Sequence, residues 1–173
     1  MVVENSDPLR GNLLRGGKML EGDDAEWTTL NLSATPLTLT YDENKLNFAG
    51  GAWNQTGIYQ AVQVEAGKSY KVDMAISGSG ATDVWFEVYV GMATPVTGSD
   101  YNDGGTRLGL NTWNGCGKTA FSGKLSAISC AGTGGGVVSF PTSGTAYVVI
   151  RTGGADLGTT GISITNVELR PVL

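Results

Sequence analysis

Ser69-Tyr70-Lys71-Val72-Asp73-Met74-Ala75-Ile76 alternates without a break, with Tyr70, Val72, Met74 and Ile76 on one side and Lys71 and Asp73 on the other. A period of two describes a strand with one face in a core and the other in water. The stretch follows a turn at Glu65-Ala66-Gly67-Lys68, and Ile58 to Val64 before that turn alternates as well. Outward from this hairpin, Val84, Phe86, Val88 and Val90 share one face of a strand, and Trp85, Glu87 and Tyr89 share the other. Further strands are expected at 27–32, 37–42, 45–48, 124–128, 137–140, 145–152 and 161–169, and Gly91 to Gly117 reads as loop-rich. Gly is 27 of 173 residues and interrupts nearly every window long enough for a stable helix. The longest Gly-free run, Asp23 to Ala49, contains Pro36 and an alternation of Leu and Thr, which favours strand. Ten or so short strands joined by Gly, Asp and Asn turns predict an all-β protein, a β-sandwich or a barrel.

A chain of 173 residues is one domain, here expected over 11–173, with 1–10 as a linker from a preceding domain. There is no His, which excludes a Ser-His-Asp or Cys-His nucleophile, a His general base and His-ligated zinc. The net charge of −5 argues against a nucleic-acid or anionic-membrane partner. No run of about 18 apolar residues occurs, so no membrane insertion is expected. The opening Met1-Val2-Val3-Glu4-Asn5 is no signal peptide, so the chain is either cytosolic or, the favoured expectation, a piece of a longer secreted or cell-surface protein. Cys116 and Cys130 lie in a Gly-rich region. A loop disulfide is the favoured reading, with two buried thiols as the alternative. Gly132-Thr133-Gly134-Gly135-Gly136 lacks the Lys-Ser/Thr of a phosphate loop and reads as a flexible turn.

Several segments, in order, carry a resemblance. They are Asn12-Leu13-Leu14-Arg15-Gly16-Gly17 before Trp27, then Trp53-Asn54-Gln55-Thr56-Gly57-Ile58-Tyr59-Gln60 leading to Ala66-Gly67-Lys68-Ser69-Tyr70, and the closing pair Tyr147–Arg151 and Gly161–Leu169. Together they resemble the jelly-roll carbohydrate-binding modules of the family 4, 9, 16 and 22 group. The start, Val2-Val3-Glu4-Asn5, is similar to the end of a PKD-type domain, as found before such modules in Bacteroidetes surface polysaccharide-binding proteins. The resemblance implies a galactose-binding-like jelly roll whose concave sheet receives a glycan, and a core position for Trp27. It also implies a structural calcium in many members. Here Lys18 and Leu20 stand where acidic ligands would be expected, and Thr165-Asn166 replaces an Asp in the last strand. No cofactor is therefore expected.

Sugars offer apolar C–H faces and a rim of hydroxyls, which aromatic rings and planar polar side chains match. Four Trp and six Tyr against four Phe lean towards amphipathic aromatics. Trp85, Glu87 and Tyr89 form a row that is costly to expose without a use. Trp53 and Asn54, in a Gly-flanked loop, and Trp113, beside Cys116, read as loop platforms at the rim. Arg151 could fork onto hydroxyls or pair with a carboxylate. The resemblance adds Gln60 as a hydroxyl-binding amide. Ser99-Asp100-Tyr101-Asn102-Asp103-Gly104 reads as a turn. A glycoside hydrolase needs two carboxylates across the scissile bond, and no strand offers a pair on one face. The expected function is non-catalytic polysaccharide binding, with a β-glucan such as laminarin as first ligand. The alternative is a structural or adhesion module whose aromatic face docks a neighbouring domain or protein.

Overall fold

Alternation along the strands builds two antiparallel sheets in a computed structural model that describes residues 11–130 and 135–173. The expected linker at 1–10 lies outside the described residues, as does most of the Gly132–Gly136 turn. In chain order the elements are β1 (Thr28–Asn31), β2 (Thr38–Asp42), β3 (Lys45–Ala49), β4 (Gly51–Val64), β5 (Ser69–Gly78), β6 (Thr82–Gly91) and β7 (Thr106–Asn111). There follow β8 (Phe121–Lys124), the one-turn helix α1 (Leu125–Ile128), β9 (Val137–Ser139), β10 (Gly144–Asp156) and β11 (Ile162–Pro171). The first sheet has the order β1-β4-β10-β6-β7. The second has the order β2-β3-β11-β5-β8, with β9 also on β5. This is a jelly-roll β-sandwich.

The main core lies between the sheets. Tyr70, Val72, Met74 and Ile76 of β5 meet Val84, Phe86, Val88 and Val90 of β6, all buried. Phe48 and Phe86 meet edge-on across the layers, 6.2 Å between centroids. Burial of each such side chain contributes about 1.5–3 kcal/mol. Trp27 packs here as expected, and its indole N–H donates to the Gly16 carbonyl at 3.1 Å.

A second, smaller core lies on the outer face of the first sheet. Tyr101 folds back from the segment 92–105 onto Tyr89, Leu30 and Val149. Its ring stands edge-on to Tyr89 at 6.0 Å, and its hydroxyl donates to the Ala93 carbonyl at 2.8 Å. Asp103 holds the segment's neck, accepting from the N–H groups of Met92 and Ala93. The expected turn around Asp100 is thus part of a strap that covers Tyr89 on that sheet face.

Four expectations about local structure change. Asp73 is buried, because the chain after β8 crosses over it: its carboxylate accepts from Met74 N–H, Ser126 N–H and Ser126 Oγ. Those last bonds cap α1, so Leu125–Ile128 is helical where strand was expected. The loop-rich stretch holds β7, whose Leu108 and Leu110 point into the core. Trp53 lies within β4, not in a loop, and a register shift opposite it at Gly154/Asp156 turns the strand. Ala52 and Trp53 adopt positive φ of 55° and 64° at this place, and Asp83 of β6 adopts 48°.

The N-terminal segment is sewn to β11. Asn12 donates from Nδ2 to the Val167 carbonyl and accepts at Oδ1 from the N–H groups of Leu14 and Leu169. Thr165 Oγ1 donates to the Lys18 carbonyl, and Val167 N–H to the Gly17 carbonyl. This is where the resembled group often holds calcium. The residues present do not fit the ion: their oxygens are engaged in protein hydrogen bonds, and among the described residues no three His, Cys, Asp or Glu side chains converge anywhere.

Candidate glycan-binding site

The register of the first sheet lays out its outer face in rows. One row runs Gly57, Arg151, Glu87, Gly109 across β4, β10, β6 and β7. The adjacent row runs Gln55, Gly153, Trp85, Asn111. Glycines flank the Arg151–Glu87 pair at both ends of the first row, and Gly153 separates Gln55 from Trp85 in the second. Gly153 is obligatory: a Cβ there would stand 2.7 Å from Gln55 Cγ and 3.0 Å from Trp85 Cζ2. The missing side chains leave a cavity of about 260 Å³ lined by Gln55, Trp85, Glu87, Asp100, Asn111 and Arg151.

Arg151 organises this floor. Its Nη2 lies 2.9 Å from Glu87 Oε2 and donates to the Tyr89 hydroxyl at 2.9 Å, while Nη1 reaches Asp100 Oδ1 at 3.1 Å. Tyr89 in turn donates to Glu87 Oε2 at 2.7 Å and accepts from Thr106 Oγ1. The guanidinium carbon sits 4.9 Å from the Trp85 ring centroid and 5.0 Å from that of Tyr89, a cation–π sandwich. One face of Trp85 is therefore taken by Arg151. Two carboxylates meet one guanidinium, so the cluster carries an excess negative charge.

Trp53 and Trp113 come together beyond this floor. They are 56% and 55% exposed, and their rings stack at 6.4 Å between centroids with 27° between planes. Trp53 precedes Gln55 by two residues and Trp113 follows Asn111 by two, so the pair continues from the row that holds Trp85. Asn111 caps its own turn, accepting from Trp113 N–H at Oδ1. Cys116 and Cys130 are joined, with Cα atoms 6.2 Å apart.

The expected site residues divide accordingly. Trp85, Glu87 and Arg151 share the cavity, and Trp53 and Trp113 form the exposed pair. Gln60 does not belong to it. It is 7% exposed on the inner side of β4, where Oε1 accepts from Arg15 N–H and Nε2 donates to the carbonyls of Arg15 and Glu26. A planar amide satisfied on all sides has nothing left for a hydroxyl. Tyr89, 4% exposed under Tyr101, is a support for Glu87 and Arg151 and offers no ring to a ligand. Asn54 pairs with Gly154 on the strand face opposite to Gln55 and does not line the cavity. Gln55, Asn111 and Asp100 were not foreseen. Continuing the alternation of Gln63, Ala61 and Tyr59 back through Gly57 would have placed Gln55 on this face.

No family model and no curated protein matches the chain. Solved structures do. The enzymatically active domain of tailspike protein 4 from bacteriophage CBA120 matches with a TM-score of 0.58 at 13% identity, over 94% of this chain and 22% of that one. The chain thus spans about a fifth of the tailspike domain. The carbohydrate-binding module TmCBM61, in complex with β-1,4-galactotriose, matches with a TM-score of 0.51 at 15% identity, over 93% of this chain and 99% of that one. A CBM4 protein matches with 0.51 at 12%, over 92% and 99%. Identities this low show the fold: a jelly-roll sandwich of the kind carbohydrate-binding modules have.

Proposed function

We propose that the chain binds a neutral polysaccharide without cleaving it, in the groove floored by Trp85 and Arg151 and continued by the Trp53–Trp113 pair. The observation that carries this reading is the cavity itself. A half-buried Trp, two primary amides (Gln55 and Asn111) and a pinned carboxylate–guanidinium cluster converge on glycine-cleared strands. That set supplies a ring for a C–H face and donors and acceptors for hydroxyls. The likeness to two carbohydrate-binding modules over nearly their whole length supports it. Glu87 and Asp100 are both tied to Arg151, whereas a hydrolase keeps one carboxyl protonated and the other free to attack or activate water.

A β-glucan such as laminarin is the first ligand to test, and xylan the second. Acidic polymers such as alginate suit the excess carboxylate less well. Affinity per site is expected at roughly −5 to −7 kcal/mol, since the ligand is polar and flexible. The disulfide supports an oxidising, extracellular or cell-surface setting. Native affinity electrophoresis against laminarin, mixed-linkage glucan, xylan, mannan and alginate tests the reading. Retardation by a neutral polymer, lost in Trp85→Ala, is the expected result. No retardation by any polymer would turn the exposed indoles into a surface for docking another domain.

A further inference from the structure

We infer that the Cys116–Cys130 disulfide is a positioning device for the Trp53–Trp113 platform, so that reduction weakens glycan binding through Trp113 while the sandwich stays folded. The inference rests on the reading that this platform touches glycan. The turn 112–116 has well-fixed feet. Thr112 is buried and exchanges hydrogen bonds with Val84, and the Gly117 carbonyl accepts from Ala81 N–H. Between these feet the tip is Trp113-Asn114-Gly115, all exposed, and Gly115 and Gly117 both hold positive φ (93° and 86°). The bonds at the tip are local ones: Trp113 N–H to Asn111 Oδ1, Gly115 N–H to Thr112 O and Cys116 N–H to Asn111 O.

Cys130 supplies the remote anchor. Its N–H donates to the Gly109 carbonyl at 3.0 Å, and the neighbouring Ser129 Oγ both accepts from Gly109 N–H and donates to Gly109 O. Behind it stands α1, held by buried Leu125 and by Asp73 of the opposite sheet. The disulfide thus ties the Trp113 tip to a helix capped from the second sheet. Without it, two glycines leave the indole free to rotate away from Trp53.

The test uses the intact chain. A dithiol reductant delivers two electrons and two protons to the Cys116–Cys130 bond, yielding two thiols and its own cyclic disulfide. Two indoles stacked this closely give an exciton couplet in far-UV circular dichroism, assigned by its loss in Trp53→Phe. Reduction is expected to flatten the couplet with the strand signal and cooperative melting retained. It should weaken glycan binding roughly three- to tenfold, the cost of ordering one turn and its indole. The Cys116→Ser/Cys130→Ser double variant should behave as the reduced chain does. In a Trp113→Ala background, reduction should change affinity less than about twofold, because the pair then acts as one unit in a double-mutant cycle. A couplet and affinity unchanged on reduction would overturn the inference, as would an equal loss in the Trp113→Ala background. An oxidised chain that shows the couplet but binds no polymer overturns the glycan reading alone, and loss of that couplet on reduction still supports the positioning role.

Discussion

At the scale of single residues, the site separates side chains that touch a ligand from those that hold the touching ones. Trp85→Ala removes the floor's ring and is expected to abolish measurable retardation by glycan. It should cost stability little, since Trp85 is half-buried outside the main core. Gln60→Leu should do the opposite. It leaves Arg15 N–H and two carbonyls without partners, a loss on the order of 2–3 kcal/mol. Glycan affinity of the folded fraction should not change. Urea unfolding and affinity electrophoresis on the two variants separate the roles, and a Gln60 variant that folds normally but fails to bind would restore the amide to the site. Arg151→Met removes the countercharge of Glu87 and one face of the Trp85 sandwich, so about 3 kcal/mol of stability and most of the affinity should go together. The Trp, Glu and Arg of this cluster could be read from strand alternation. Gln60 could not: alternation put it among Ile58 and Val62, but nothing local shows that Arg15 and Glu26 come to meet it.

At the scale of elements, what was hidden in the sequence is what depends on segments crossing the outside of the sheets. The strands of the sandwich follow from period two, β5 and β6 most plainly. β7 was obscured because Gly109 interrupts Thr106-Arg107-Leu108-Gly109-Leu110-Asn111, and that glycine pairs with Glu87 across the ladder. Asp73 reads as solvent-facing until α1 is laid over it. The strap 92–105 likewise turns Tyr89 from an exposed ring into a buried one. The strap also carries a pH signature. Burial, with Asp103 and then Tyr147 adding to it, raises the Tyr101 phenol above the ordinary tyrosine range, and burial raises Tyr89 in the same direction. A folded state that holds these protons more tightly than the unfolded chain is fully stabilised below a pH of about 10 and loses that share as the pH climbs through the folded values. Denaturation measured from neutral to strongly alkaline pH should show stability falling above that point. Tyr101→Phe should flatten part of the fall, at a cost of about 1 kcal/mol at neutral pH for the bond to Ala93. An identical alkaline slope in the variant would place the titrating group elsewhere.

At the scale of the whole molecule, charge separates the proposed ligand from its competitors. The chain carries −5, and the cluster in the groove carries its own excess carboxylate, so the long-range field and the local one have the same sign. A neutral polymer feels neither. Its retardation should stay within about twofold as salt is raised towards 1 M, where charges are screened beyond roughly 3 Å. An acidic polymer is repelled at low salt by the whole molecule, and screening removes that part. The local part remains, because Glu87 and Asp100 would sit in direct contact with a uronate and stay tied to the Arg151 guanidinium in the cavity. Alginate should therefore gain little from salt in the native chain, and Asp100→Asn should admit it only when salt is also high. The pair of titrations distinguishes two kinds of site. Binding of an acidic polymer at low salt that collapses as salt is raised would mean that counterions are released on association, as when cations grip an anionic chain. The basic residues outside the groove, and not Trp85 with its amides, would then be where the polymer lies.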